Sequence, residues 1–203
     1  MAEVVIAKPG KLPVGPIGRT GIGWWGISAL IASEAALFSY LLFSYYYLGA
    51  SAPLGWLPEP HPKMMPVLPN TILLLGSSFV AWYGERGVEQ GRRAQALIGF
   101  GMAFLMGALF AGVQVYEWHE RAFGIGASSY AALYYTTTGL HMAHVIVGLV
   151  ILAALFGWTA IDYFSPRRRI SVSAGVLYWH FVDVVWLFVF TTYYVTPYLG
   201  FAR

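Results

Sequence analysis

Five stretches of about twenty predominantly apolar residues divide this chain, at 22–48, 67–84, 95–118, 130–158 and 174–196, and stretches of that length mark membrane spans. Only 10% of the 203 residues are charged and 58% are hydrophobic. Soluble domains average about 25% charged residues, so the composition argues against a water-soluble fold. The expected fold is an all-α integral membrane protein with five transmembrane helices. Residues 22–203 form one membrane domain behind a cytoplasmic tail, 1–21.

The basic residues give the expected orientation. Lys8, Lys11 and Arg19 lie in the tail, Arg86, Arg92 and Arg93 after span two, and Arg167, Arg168 and Arg169 after span four. Only Lys63, Arg121 and Arg203 fall on the other side. Nine against three is a positive-inside bias that alternates correctly with five spans, which puts the N-terminus inside and the C-terminus outside. The net charge of +3 therefore calls for no nucleic acid: the cations sit in short juxtamembrane loops, where they meet anionic lipid heads. Cysteine is absent, which excludes disulfides, a c-type haem attachment, iron–sulfur clusters and a thiolate copper site. Span one is too long for the apolar core of a secretory signal and follows Pro9, Pro13 and Pro16, so it is expected to stay attached as a helix.

Between the spans, residues 49–66 carry five prolines and read as an extended outer loop, while the short charged segment 85–93 makes spans two and three an antiparallel hairpin. Span three repeats small residues every fourth position: Gly99, Ala103, Gly107 and Ala111. Such a ridge lets a neighbouring helix approach closely, and helix packing is a better account of it than a substrate groove.

Few polar residues lie at membrane depth, and a charge there costs about 2.5–3.5 kcal/mol on insertion scales. Glu34, in the middle of span one, has only Leu30, Ile31, Leu37 and Phe38 at helical spacing. A carboxyl there favours its neutral form, and its partner has to come from another helix or from lipid. It serves either as interhelical glue or as a proton-handling or lipid-linked site. His141 and His144 share one face of span four. With His180 one of them could bracket a haem, but neutral histidines bonding across helices are the more economical account. His119 and His61 fall near the outer surface. Glu117, by position alone, reads as a solvated helix end. His180 and Asp183, three residues apart in span five, could pair with each other.

Four stretches together carry a family resemblance. They are Ala32-Ser33-Glu34, the segment Gln114 to Glu120, the motif Thr138-Gly139-Leu140-His141-Met142-Ala143-His144-Val145, and the run Tyr178-Trp179-His180-Phe181-Val182-Asp183-Val184-Val185-Trp186-Leu187-Phe188. In order and type they resemble subunit III of the haem-copper respiratory oxidases, the cytochrome c oxidase family. Leu140 and Met142 stand where the family usually has phenylalanine and glycine. The long form has seven helices; this chain matches the shorter bacterial form without the first two, so the long form's V-shaped lipid cleft is not carried over.

The resemblance implies an accessory subunit of the bacterial cytoplasmic membrane, with no catalytic residue and no metal of its own. It would pack against oxidase subunits I and II, within a supercomplex in some membranes, and bind phospholipid. It would support proton uptake while haem and copper in the partner subunits reduce oxygen to water and pump protons. By resemblance Glu34 is the buried acid, and Glu117, His144, His180 and Asp183 belong to the polar interior that holds helices and lipid. A quinol-oxidase subunit III or a nitric-oxide-reductase accessory protein would look very similar. From other classes, a self-contained membrane cytochrome b would show stoichiometric haem absorbance in the isolated chain. A proton channel acting through Glu34 would pass protons in liposomes.

Overall fold

In the computed structural model, residues 22–52, 55–58 and 64–201 are described; the tail 1–21, His61, Lys63 and Arg203 lie outside the described residues. Five helices run in sequence: α1 (Ile22–Ser51), α2 (Met64–Glu89), α3 (Arg93–Glu120), α4 (Ser129–Ala160) and α5 (Ile170–Phe190). All five are long and apolar enough to cross a membrane, and among the described residues no strand forms. α5 is the central helix and packs against α1, α2 and α4, while α3 closes the bundle between α2 and α4. α1 is attached along a narrow seam, its buried positions being Phe38, Tyr45 and Gly49.

The up-and-down course brings the α2–α3 and α4–α5 loops together at one end, where Arg169 of the second loop pairs with Glu89 of α2. This is the basic end. The opposite end collects Tyr45, Trp56, Tyr130, Tyr193 and Phe201 in mutual ring contact and is the aromatic end.

Local chemistry sets the helix limits. Gly91 closes α2 at φ +68, and the Arg92 N–H reaches back to the Gly87 carbonyl at 2.7 Å, a Schellman closure that needs a left-handed residue. The α2–α3 connection is therefore only three residues long, and the hairpin is tight. α4 starts where the Ser128 hydroxyl accepts from the Ala131 N–H at 3.1 Å. Ser128→Ala is expected to lower stability by about 1 kcal/mol, read as a fall in the unfolding midpoint in mild detergent.

Two limits differ from the sequence reading. Pro66, expected in the extended loop, lies in the first turn of α2, because first-turn N–H groups have no intrahelical acceptor and proline gives up nothing there. Span five does not end as an α-helix: it widens into a π-turn, Thr191–Val195, then tightens into a 3-10 turn, Thr196–Leu199. Pro197 has no N–H for the carbonyl four residues back and its ring crowds that carbonyl, which disfavours continuing in α register. The π-turn turns Tyr193 and Tyr194 into the core, where both are fully enclosed.

The small-residue ridge of α3 lies at two different contacts. At Gly99 the backbone of α2 comes so close that a methyl built there would stand 2.3 Å from the Gly84 Cα. At Gly107 the neighbour is Trp179 of α5, whose indole is clasped between Gly107 and Gly148 of α4; methyls built at those two positions would meet it at 2.6 and 2.5 Å. Ala103 between them is buried, and Ala111 at the far end is only partly covered. The same indole donates its N–H to Ser77 of α2 at 2.9 Å, so one side chain ties four helices.

Candidate functional site

Apart from His141, the ionisable groups inside the bundle gather into three clusters, each joining helices that are distant in sequence. In the first, Glu34 Oε2 of α1 lies 3.1 Å from His144 Nε2 of α4. His144 Nδ1 lies 2.8 Å from the Leu140 carbonyl, which can only accept, so Nδ1 carries a hydrogen. The second ring nitrogen, Nε2, is therefore the one that faces the Glu34 carboxyl. The partner that α1 itself does not offer comes from the middle of α4. Glu34 is not, however, fully enclosed by this chain: 29% of its side chain is accessible, because α1 is held only by its narrow seam.

The second cluster lies between α2 and α5. Ser78 donates its hydroxyl hydrogen to Asp183 Oδ2, and its oxygen is 2.8 Å from His180 Nδ1. A serine has one hydrogen to give, so His180 Nδ1 is the donor to Ser78. His180 and Asp183 thus do not pair directly; the hydroxyl of a neighbouring helix stands between them. Asp183 is 3% exposed and its Oδ1 has no hydrogen-bond partner in the protein. His141 stands apart from both clusters: it is enclosed, donates from Nε2 to the Val182 carbonyl at 3.2 Å, and lies against the Trp186 ring.

The third cluster closes the aromatic end. Glu117 is buried, not the solvated helix end that its position implied. Arg121, one turn further along α3 and just past its end, bonds Glu117 Oε1, and the Tyr194 hydroxyl donates to the same oxygen at 2.8 Å. The Tyr194 and Tyr134 hydroxyls are 3.0 Å apart, and the guanidinium lies over both rings, 5.0 Å from that of Tyr134 and 5.6 Å from that of Tyr194. Gln114 is buried one turn before Glu117, whereas His119 is exposed. The π-turn is what aims Tyr194 at Glu117, which is why a helix-end position could be enclosed.

These clusters use residues the sequence reading did not single out. Ser78 carried a faint signal, as half of a Ser77–Ser78 pair in an apolar span, and Arg121 a clearer one, at the i+4 spacing from Glu117 that suits an ion pair. Tyr194 carried none, because its direction depends on the π-turn.

A profile described as cytochrome c oxidase subunit III matches residues 17–198. The chain belongs to the cytochrome c oxidase subunit III family. Among its relatives, cytochrome c oxidase subunit 3 of Synechocystis sp. is 33% identical over 181 residues, covering 88% of this chain and 77% of that one. The Gallus gallus protein of the same name is 30% identical over 178 residues, 84% of this chain and 68% of its own length. That of Drosophila yakuba is 32% identical over 178 residues, again 84% and 68%.

As a member of a family of oxidase subunits, with five helices of spanning length, this subunit III is a multi-pass membrane protein of a multi-subunit oxidase. Its clusters can hold helices together and can hold or pass protons. Among the described residues, no three His, Cys, Asp or Glu side chains converge as a metal site.

Proposed function

We propose that this subunit III is a non-catalytic member of a respiratory terminal oxidase in a bacterial cytoplasmic membrane, with its basic end on the cytoplasmic side. It stabilises the haem- and copper-bearing subunit I, with subunit II as a further neighbour. It binds phospholipid and supports proton uptake while the partners reduce oxygen to water. The observation that carries this reading is the engagement of the buried ionisable groups. Glu34 is held by His144, His141 by the Val182 carbonyl, His180 and Asp183 by Ser78, and Glu117 by Arg121 and Tyr194. A membrane cytochrome b would need two histidines presenting free nitrogens from opposite sides of one plane. Here His144 has both nitrogens occupied, and His141 and His180 each have one bonded to another helix and one left over, so the spectrum of the purified chain is what separates the two readings.

Purification in mild detergent tests the reading. A haem- and copper-bearing partner is expected to co-elute with the tagged chain in fixed ratio; a chain that elutes alone, or carries its own haem absorbance, defeats it.

Glu34 provides a finer measurement. Glu34→Gln keeps a hydrogen-bonding isostere beside His144 and is expected to leave the amount of assembled oxidase within about twofold of the parent, a change worth under 0.5 kcal/mol. Glu34→Lys sets a cation beside a ring nitrogen at depth, costing about 2.5–3.5 kcal/mol, and is expected to deplete the complex strongly. Equal assembly of the two variants on native gels would show that the carboxyl is not held at depth.

A further inference from the structure

The α2–α5 contact carries a polar row that starts at the basic end. Glu89 pairs there with Arg169 and Arg86, and the Ser173 hydroxyl donates to Glu85 Oε1 at 2.6 Å. Glu85, Glu89, Arg169 and Ser173 line an open-sided cavity of about 490 Å³ between α1, α2 and α5. Trp24, Trp82 and Val176 form its apolar walls, Glu85 and Ser173 its polar side, and His180 its deepest polar group. Liquid water takes about 30 Å³ per molecule, so the cavity has room for several. The mouth is polar: Arg169 and Glu89 are both partly exposed.

The His180 ring lines this cavity while its Nδ1 is bound to Ser78, so Nε2 is the nitrogen left for cavity water. Past Ser78 stands Asp183, almost wholly buried, with one oxygen on the serine and the other without a partner. An ionised aspartate with a single hydroxyl donor would be a costly occupant of a membrane interior. A carboxylic acid with an empty oxygen is not, provided a proton can reach it.

We propose that Asp183 is a proton-accepting site loaded from the basic end of the bundle, through the α2–α5 cavity, His180 and Ser78. A hydronium ion in the cavity gives its proton to His180 Nε2. The imidazolium releases the Nδ1 proton to Ser78 Oγ as the Ser78 hydroxyl proton moves to Asp183 Oδ2. The products are water, neutral His180 protonated on Nε2, an intact serine and a neutral Asp183; one proton has moved and no electron has. Among the described residues, the charged groups facing this route are Glu85 and Glu89 from α2 and Arg169 from the start of α5. Among the described residues α1 lends only Trp24, and His141 of α4 is bonded to the Val182 carbonyl. The carboxylates at the mouth favour cation entry, and Arg169 offsets Glu89.

This goes beyond the accessory reading and does not depend on it, since the signal comes from the carboxyl of this chain and not from oxygen reduction. The purified assembly containing the full chain is placed in lipid nanodiscs. Its infrared carboxylic-acid band is assigned to Asp183 by its loss in Asp183→Asn. Transfer to ²H₂O then shifts that band at the rate at which the proton exchanges. In the parent, exchange is expected within the mixing time. In Ser78→Ala and in His180→Gln it is expected to slow about a hundredfold, the scale of losing a positioned proton-transfer group. Ser78→Thr, which keeps the hydroxyl, is expected to exchange like the parent, and it separates the relay from any packing defect. If Ser78→Ala does not fold, His180→Gln against Ser78→Thr makes the same comparison. Loss of no carboxylic-acid band in Asp183→Asn overturns the proposal, as does exchange at the parent rate in the folded relay variants. Co-elution of the haem-bearing partner is scored separately, so the two readings fail independently.

Discussion

Gly99→Ala is expected to prevent α2 and α3 from closing, at a cost above about 3 kcal/mol, beyond the usual range for adding a methyl to a packed core. The added carbon would lie 2.3 Å from the Cα of Gly84, 2.5 Å from the Gly84 nitrogen and 3.0 Å from the Val80 carbonyl oxygen. All three are backbone atoms, so no rotamer change relieves the collision; the helices have to separate. Separation would expose a contact that membrane helices hold mainly by van der Waals approach, with no hydrophobic drive to restore it. Gly84→Ala across the same crossing is expected to be milder. Its methyl meets Phe100 side-chain atoms at 3.0 Å and the Gly99 Cα at 3.2 Å, and a side chain can give way. Gly112→Ala on the same helix has nothing within 4 Å and serves as the control. The measurement is the denaturant midpoint of the purified protein in mild detergent. Equal midpoints for Gly99→Ala and Gly112→Ala would show that the crossing is looser than described.

Glu117→Ala is the second large effect. It strands the Arg121 guanidinium among Tyr134, Tyr194 and the α3 end, with cation–π contact but no counter-charge. Removing one member of a buried pair costs about 3–5 kcal/mol, mostly the penalty of the charge left behind. The sign of a double substitution follows from the same reasoning. Glu117→Leu with Arg121→Met removes both charges and is expected to recover most of the loss. Glu117→Gln is expected to fall between, since its amide oxygen still accepts from Tyr194 while the countercharge is gone. Thermal unfolding in lipid nanodiscs ranks the variants. A Glu117→Ala protein that unfolds at the parent temperature, or a double variant no better than the single, would rule out a buried charge pair as the brace of this end.

Spans one to four begin and end within a few residues of the helices, because span length and hydropathy are properties of each segment read by itself. The exceptions are local and have causes: Pro66 enters α2 in its first turn, where no N–H is missed, and Pro197 accompanies the π-turn that ends span five. The small ridge on α3 was legible for the same reason, since a four-residue spacing defines a face before any neighbour is known.

Partner choice was not legible. Glu34 and His144 are 110 residues apart, Ser78 and Asp183 are 105, and Glu117 and Tyr194 are 77. Each meeting depends on how two helices are rotated and how far each has slid along the other, and no single span records that. The chain alone therefore established five crossings and the presence of costly polar groups inside them. The tertiary structure decided which group stands beside which: it replaced a supposed His180–Asp183 pair with a serine-bridged one and enclosed a glutamate that position had assigned to solvent. The reason is physical: insertion free energy sums over one helix at a time, whereas a hydrogen bond at depth is a property of two.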